Sequence, residues 1–144
     1  MLGRLARWLR VLGYDTSWDA HVDDEELVRR AVREDRILLT CDRKLAAERR
    51  PTRCLVLAPG DPLEQLRRVV EHFDLDAEGP LFLRCTQCNA PLEEVEKRVV
   101  SDLVPERTLR ELDRFTRCPR CGRVYWEGSH TRRMRLALAQ TLRG

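Results

Sequence analysis

Six cysteines are the most informative residues of the chain, because four of them fall in two tight pairs, Cys85-Thr-Gln-Cys88 and Cys118-Pro-Arg-Cys121. A Cys-x-x-Cys turn brings two thiolates onto one ion while its backbone amides point at the sulfurs, and tetrahedral zinc asks for four ligands at about 2.3 Å. Cys85, Cys88, Cys118 and Cys121 are therefore the candidate ligands of one structural zinc ion, with no coordination position left for a substrate. A redox pair or two disulfides is the alternative, but the chain shows no secretory signal, which argues for metal. The 29 residues between Cys88 and Cys118 exceed the usual loop between two such knuckles, and a helix expected over 106–115 accounts for the extra length. Gly122 suits a knuckle turn that needs positive φ. Cys41 and Cys54 flank apolar runs and read as small buried hydrophobes.

Carboxylates form the second constellation. Arg36-Ile37-Leu38-Leu39-Thr40 is a short continuous apolar run, consistent with a strand buried on both faces, and Asp42 follows at its carboxyl end. Asp23 and Asp24 open a helix on the same expected edge of the sheet, where ligands of open parallel sheets bind. Converging carboxylates there would hold Mg²⁺ or Mn²⁺, which generates a hydroxide nucleophile and steadies a phosphoryl transition state. The competing reading makes Asp23, Asp24 and Asp42 plain caps of the helices they precede. The histidines, His21, His72 and His130, have neither metal nor triad spacing, so a serine or cysteine hydrolase has no visible base.

Charge is uneven along the chain. The total is +3, but residues 1–80 carry 14 basic against 16 acidic side chains and residues 81–144 carry 13 against 8, so the front is −2 and the back +5. Only Lys44 and Lys97 are lysines, leaving recognition of phosphate to guanidinium forks. Arg117, Arg120 and Arg123 surround the second knuckle, and Arg132, Arg133 and Arg135 precede Leu136. With Tyr125 and Trp126 beside them they suit a nucleic-acid backbone with base stacking, although Trp126 equally suits packing of the ribbon.

The elements that must position these residues alternate between two periods. Leu2, Leu5, Ala6, Leu9 and Leu12 mark one face of a helix, with Arg4, Arg7 and Arg10 opposite and Gly13 placed to end it. Tyr14–Trp18 is a short strand candidate. A helix with the stripe Leu27, Val28, Ala31 and Val32 ends near Glu34-Asp35, a strand follows at 36–40, then a short helix over 45–48, a strand at 54–57 and a helix from Pro62 to Phe73. Strands alternating with helices imply an α/β layer with parallel strands. The polar segment 74–80 marks an expected boundary, dividing an α/β domain over 1–78 from a zinc-ribbon module over 79–144 that ends in a basic helix.

Composition excludes much else. The chain has 144 residues, 42% hydrophobic and 35% charged, enough for one ordinary domain with a small satellite. No apolar run approaches the ~20 residues of a membrane span, and arginines interrupt the first residues at helical spacing, so no signal peptide is expected there. The expectation is a soluble cytoplasmic protein with no membrane partner. Nothing repeats at a fixed period.

Four stretches together resemble a known family. Leu2-Gly3-Arg4-Leu5-Ala6-Arg7-Trp8-Leu9-Arg10-Val11-Leu12-Gly13-Tyr14-Asp15-Thr16, then Asp23-Asp24-Glu25-Glu26-Leu27, then Arg36-Ile37-Leu38-Leu39-Thr40-Cys41-Asp42-Arg43, and the second knuckle with Gly122-Arg123-Val124-Tyr125-Trp126 through His130, are similar in order to the Mut-seven C-terminal RNase family. The resemblance implies a PIN-like nuclease fold, an open parallel sheet with flanking helices, joined to a C-terminal zinc ribbon. It also implies a metal-dependent ribonuclease with Asp42 and Asp24 among its acids. That family begins with a hydrophobic strand ending in aspartate, just before the helix at which this sequence starts. The expectation is therefore either an upstream Val/Ile/Leu/Phe-rich segment ending in Asp, or a chain that has lost catalysis. Two functions follow: a Mg²⁺- or Mn²⁺-dependent endoribonuclease whose ribbon supports RNA binding, or a non-catalytic zinc-ribbon protein that binds nucleic acid or protein.

Overall fold

The structure, a computed structural model, describes residues 2–49 and 53–143, without the side chains of His130, Ala137 and 140–143. Helix α1 (Gly3–Val11) buries Leu5, Ala6 and Leu9 and exposes Arg4 and Arg7. Arg10, expected on that exposed face, is buried instead. Gly13 closes the helix at φ +101°, and a Cβ there would meet Leu83 Cδ1 at 2.8 Å, so both backbone and neighbour require glycine. Tyr14–Trp18 forms no strand. Thr16 at its centre is held by side chains instead of a neighbouring strand: its N–H donates to Asn89 Oδ1 at 3.0 Å, and its O accepts from Arg10 Nε at 2.9 Å.

Helix α2 (Asp24–Arg33) is capped by Asp23, whose Oδ1 accepts from Glu26 N–H at 2.8 Å. Acids crowd its first turn, and Glu25 and Glu26 pair with Arg29 and Arg30 a turn later. Strand β1 (Leu38–Thr40), helix α3 (Arg43–Arg49) and strand β2 (Cys54–Val56) follow, the strands parallel in the register Leu38↔Cys54, Leu39↔Leu55, Thr40↔Val56. The open parallel sheet expected from the sequence is limited here to these two strands among the described residues. Helix α4 (Pro62–Phe73) starts with Pro62 in its first turn and Asp61 capping Leu63 N–H, and ends at Asp74 in the left-handed region.

Beyond 80 the chain builds an antiparallel sheet of β3 (Glu93–Val95), β4 (Phe115–Arg117) and β5 (Val124–Tyr125), in that order. The segment between β3 and β4 holds α5 (Lys97–Val100), a 3-10 turn at Ser101–Leu103 and α6 (Glu106–Glu111). The helix expected over 106–115 stops at Glu111, because Phe115 is taken into β4 opposite Val95 and buried with Val100 and Val104. Helix α7 (Ser129–Arg143) turns back and packs on α4, as does α1. The main core joins both halves: Leu5, Leu9, Leu66, Val69 and Val70 from the front meet Leu81, Phe82, Met134 and Leu138 from the back. Each such side chain contributes roughly 1.5–3 kcal/mol by its burial. No helix among the described residues is long and apolar enough to cross a membrane.

Candidate metal centre and groove

The four predicted cysteines converge. The sulfurs of Cys85, Cys88, Cys118 and Cys121 all lie within 4.8 Å of one another, and this is the one group of three or more potential ligands among the described residues placed to hold an ion. Cys85 and Cys121 Sγ are 3.7 Å apart. A tetrahedron with Zn–S near 2.3 Å has sulfur–sulfur edges of about 3.8 Å, whereas a disulfide would need about 2.05 Å. The site thus fits four-thiolate zinc.

Each pair folds into the same turn. Cys88 N–H points at Cys85 Sγ (3.4 Å) and Cys121 N–H at Cys118 Sγ (3.5 Å). Asn89 N–H donates to Cys85 O and Gly122 N–H to Cys118 O. The residue after each pair is left-handed, Asn89 at φ +63° and Gly122 at φ +80°. The sequence reading found Gly122 and missed Asn89, although the matching position after Cys-x-x-Cys was the available signal, since asparagine tolerates this conformation.

Tyr125 supports the centre. Its hydroxyl oxygen accepts from Thr86 N–H at 3.2 Å, lies 3.1 Å from Thr86 Oγ1, and can direct its own proton to Cys85 Sγ at 3.1 Å. Its ring stacks on Phe82 with centroids 5.3 Å apart, and Trp126 packs against Phe115. Both aromatics weighed for base stacking are therefore engaged inside the fold. Burial pushes the Cys85 thiol up, but hydrogen bonds from Tyr125, from the N–H groups of Cys88 and Gln87 and from Cys121 outweigh it and hold Cys85 at about 7. Burial also pushes Cys54 up, as suits an inert side chain at the start of β2.

The acidic residues line a different feature. A groove of about 1080 Å³ runs along β1 between α1 and α2, walled by Leu2, Leu5, Leu9, Leu27 and Leu38, and both Asp24 and Asp42 open onto it. Asp42 follows β1, and its Oδ1 accepts from Lys44 N–H (2.9 Å) and Leu45 N–H (3.2 Å), capping α3. Thr40 Oγ1 accepts from Asp42 N–H at 3.0 Å and fixes the turn. Asp42 is thus both a cap and a groove residue, while Asp23 is the cap of α2 and does not line the groove. Asp15, not singled out in the sequence, lines it as well, held between Arg36 and Asn89.

The predicted arginines divide into two sets. Arg117 Nε donates to Gly122 O at 3.1 Å and so belongs to the second knuckle. Arg120, Arg123, Arg132 and Arg133 are exposed and paired with no carboxylate among the described residues. Arg135 on the same helix is taken by Glu127 at 2.7 Å. No curated protein and no solved structure matches the chain. The family model described as the Mut7-C RNAse domain matches residues 1–138, with the groove and the four-cysteine centre both inside the matched span. The chain belongs to the Mut7-C RNAse domain family.

Proposed function

We propose that the chain is a metal-dependent endoribonuclease of PIN-like type, cutting RNA in the groove while the basic face of the ribbon and α7 holds the strand. The observation that carries this reading is the placement of Asp42: two backbone N–H groups fix one carboxylate oxygen at the end of β1, leaving the other for the groove that Asp24 also lines. Mg²⁺ binds through one or two carboxylates, with waters and substrate phosphates completing its shell, and Asp24 and Asp42 would be the protein ligands of such an ion. Such an ion supplies a hydroxide nucleophile and charge for the phosphoryl transition state. Arg43 and Lys44, on the same wall, offer cations to the phosphates flanking the cut. Arg120, Arg123, Arg132 and Arg133, paired with no carboxylate among the described residues, would take backbone phosphates further along. The four-cysteine centre holds structural zinc in this reading.

The test is cleavage of a single-stranded RNA oligonucleotide with Mn²⁺ or Mg²⁺, its loss with EDTA, and its loss in Asp42→Asn. Asparagine keeps the cap of α3 and removes the charge. Cleavage that ignores metal, or an Asp42→Asn protein that cuts like the parent, overturns the reading. RNA binding that persists without any cleavage points instead to the non-catalytic binding protein.

A further inference from the structure

Arg10 is a buried charge that neither the groove nor the cysteine centre has so far explained. It lies in the last turn of α1, is 8% exposed, and has no carboxylate in ion-pair distance among the described residues. Its donors go to two carbonyls, Nε to Thr16 O at 2.9 Å and Nη1 to Thr86 O at 2.7 Å. Carbonyls satisfy hydrogen bonds but bring no counter-charge, and a buried guanidinium without one is costly. Thr86, however, sits inside the first knuckle, between Cys85 and Cys88. Burial pushes the Arg10 guanidinium down; Cys85 and Cys88, once ionised, would oppose this, as does Asp15, with Arg7 acting against them. Asp15 already serves Arg36 at 3.0 Å.

Four thiolates around Zn²⁺ carry −2, whereas four protonated thiols carry nothing. We propose that Arg10 is the internal counter-ion of the four-cysteine centre, a positioning residue that couples metal loading to the α1 wall of the groove. Both backbone polar groups of Thr86 are held, its carbonyl by Arg10 and its N–H by Tyr125, so a shift of the knuckle pulls on Arg10. Two further bonds carry the same link, Phe82 N–H to Val11 O at 2.9 Å and Arg84 Nε to Gly13 O at 3.3 Å. Coupling of this kind is reciprocal: whatever zinc does to hold Arg10 in place, Arg10 does for zinc affinity. The inference rests on zinc occupancy of the centre and is independent of ribonuclease activity.

Zinc affinity of the full chain, measured by competition with a chromophoric chelator, tests it. Arg10→Gln removes the charge and keeps hydrogen-bonding capacity, so affinity falls on the order of 10- to 100-fold. Arg10→Lys keeps the charge and stays within roughly threefold of the parent. In the cobalt-substituted protein the thiolate-to-metal absorption band shifts in Arg10→Gln and holds in Arg10→Lys. A side chain that only fills space weakens metal-free and loaded protein alike, so equal zinc affinities for parent and Arg10→Gln overturn the proposal. A parent chain that takes up no zinc overturns both it and the zinc reading. If Arg10→Gln does not fold, hydrogen exchange on the parent decides. Chelating the metal should release the N–H groups of Leu12, Gly13 and Tyr14 more than those of α2, and equal release, or none, overturns the coupling.

Discussion

Asn89 Nδ2 donates to Asp15 Oδ1 at 2.6 Å, joining the first knuckle to the groove wall across 74 positions of the chain. The bond exists because Asn89 takes the left-handed turn that ends the knuckle, which aims its amide away from the metal centre toward the loop after α1. The same amide accepts from Thr16 N–H at 3.0 Å. Arg36, at the entry to β1, donates to the other oxygen of Asp15 at 3.0 Å. One carboxylate thus ties together the knuckle, the loop and the strand that leads to Asp42.

A pH dependence follows. The Arg36 hydrogen bond lowers the Asp15 carboxyl below its ordinary range; burial opposes it, and Asn89 and the charges of Arg36 and Arg84 add to it. A carboxyl depressed in the folded state contributes stability above its unfolded pKa, and that stability is lost as pH falls through the folded value. Asp15→Asn should therefore be less stable near neutral pH, by about 1 kcal/mol or less given its exposure. The difference should close as the solution is acidified below about pH 4. Urea midpoints of the two proteins across that range check this, and a gap that widens in acid contradicts it.

Much of this arrangement was legible beforehand, and the reasons for the rest are physical. The cysteine ligands were readable because metal geometry fixes their spacing, and α2 and α4 because Asp23 and Pro62 announce their starts. Arg10 was not, since its i, i+3 spacing from Arg4 and Arg7 looks like a solvated stripe and only a contact 76 residues away buries it. Tyr14–Trp18 reads as a strand candidate, but Thr16 at its centre bonds to the side chains of Asn89 and Arg10 in place of a neighbouring strand. Nor does local pattern reveal that Met134 and Leu138 return to the core of the front half.

That return predicts cooperativity between the stretches 1–78 and 79–144. Met134 is 1% exposed and packs in the cluster that contains Leu5 and Leu66. Met134→Ala should cost about 3 kcal/mol. The loss should appear in one transition, with helical circular dichroism and the absorbance of a cobalt-loaded cysteine centre vanishing together. Two separated transitions would instead show that the ribbon unfolds alone.

The acids of α2 should separate by readout. Asp23 caps the helix through Glu26 N–H, so Asp23→Ala registers in the melting curve as a loss of about 1 kcal/mol. Asp24 opens onto the groove, so Asp24→Asn registers in metal-dependent RNA cleavage, with a fall on the order of 100-fold, as removal of an ion-binding carboxylate implies. Titrating Mn²⁺ against the residual rate sharpens the contrast, because a lost ligand raises the metal concentration needed for half-maximal cleavage. An Asp24→Asn protein with the parent's rate and metal requirement removes Asp24 from the chemistry.

The exposed arginines of α7 make the last prediction. Arg132 and Arg133 stand on a helix that Met134 and Leu138 anchor in the core, so the core sets where they leave the backbone while their charges stay unpaired among the described residues. A phosphate bound by such a group displaces condensed counterions, and affinity then falls with salt in proportion to the number of contacts. Arg132→Ala combined with Arg133→Ala should weaken single-stranded RNA binding across sequences and flatten the log–log salt slope by about 1.4, two contacts at the single-strand value. Arg135→Ala is the informative comparison, because its guanidinium is already held by Glu127 and by Gly79 O. Its loss should lower stability and leave the salt slope where it was. Should the double variant bind with the parent's slope, the strand runs elsewhere, and Arg120 and Arg123 beside the second knuckle become the next residues to remove.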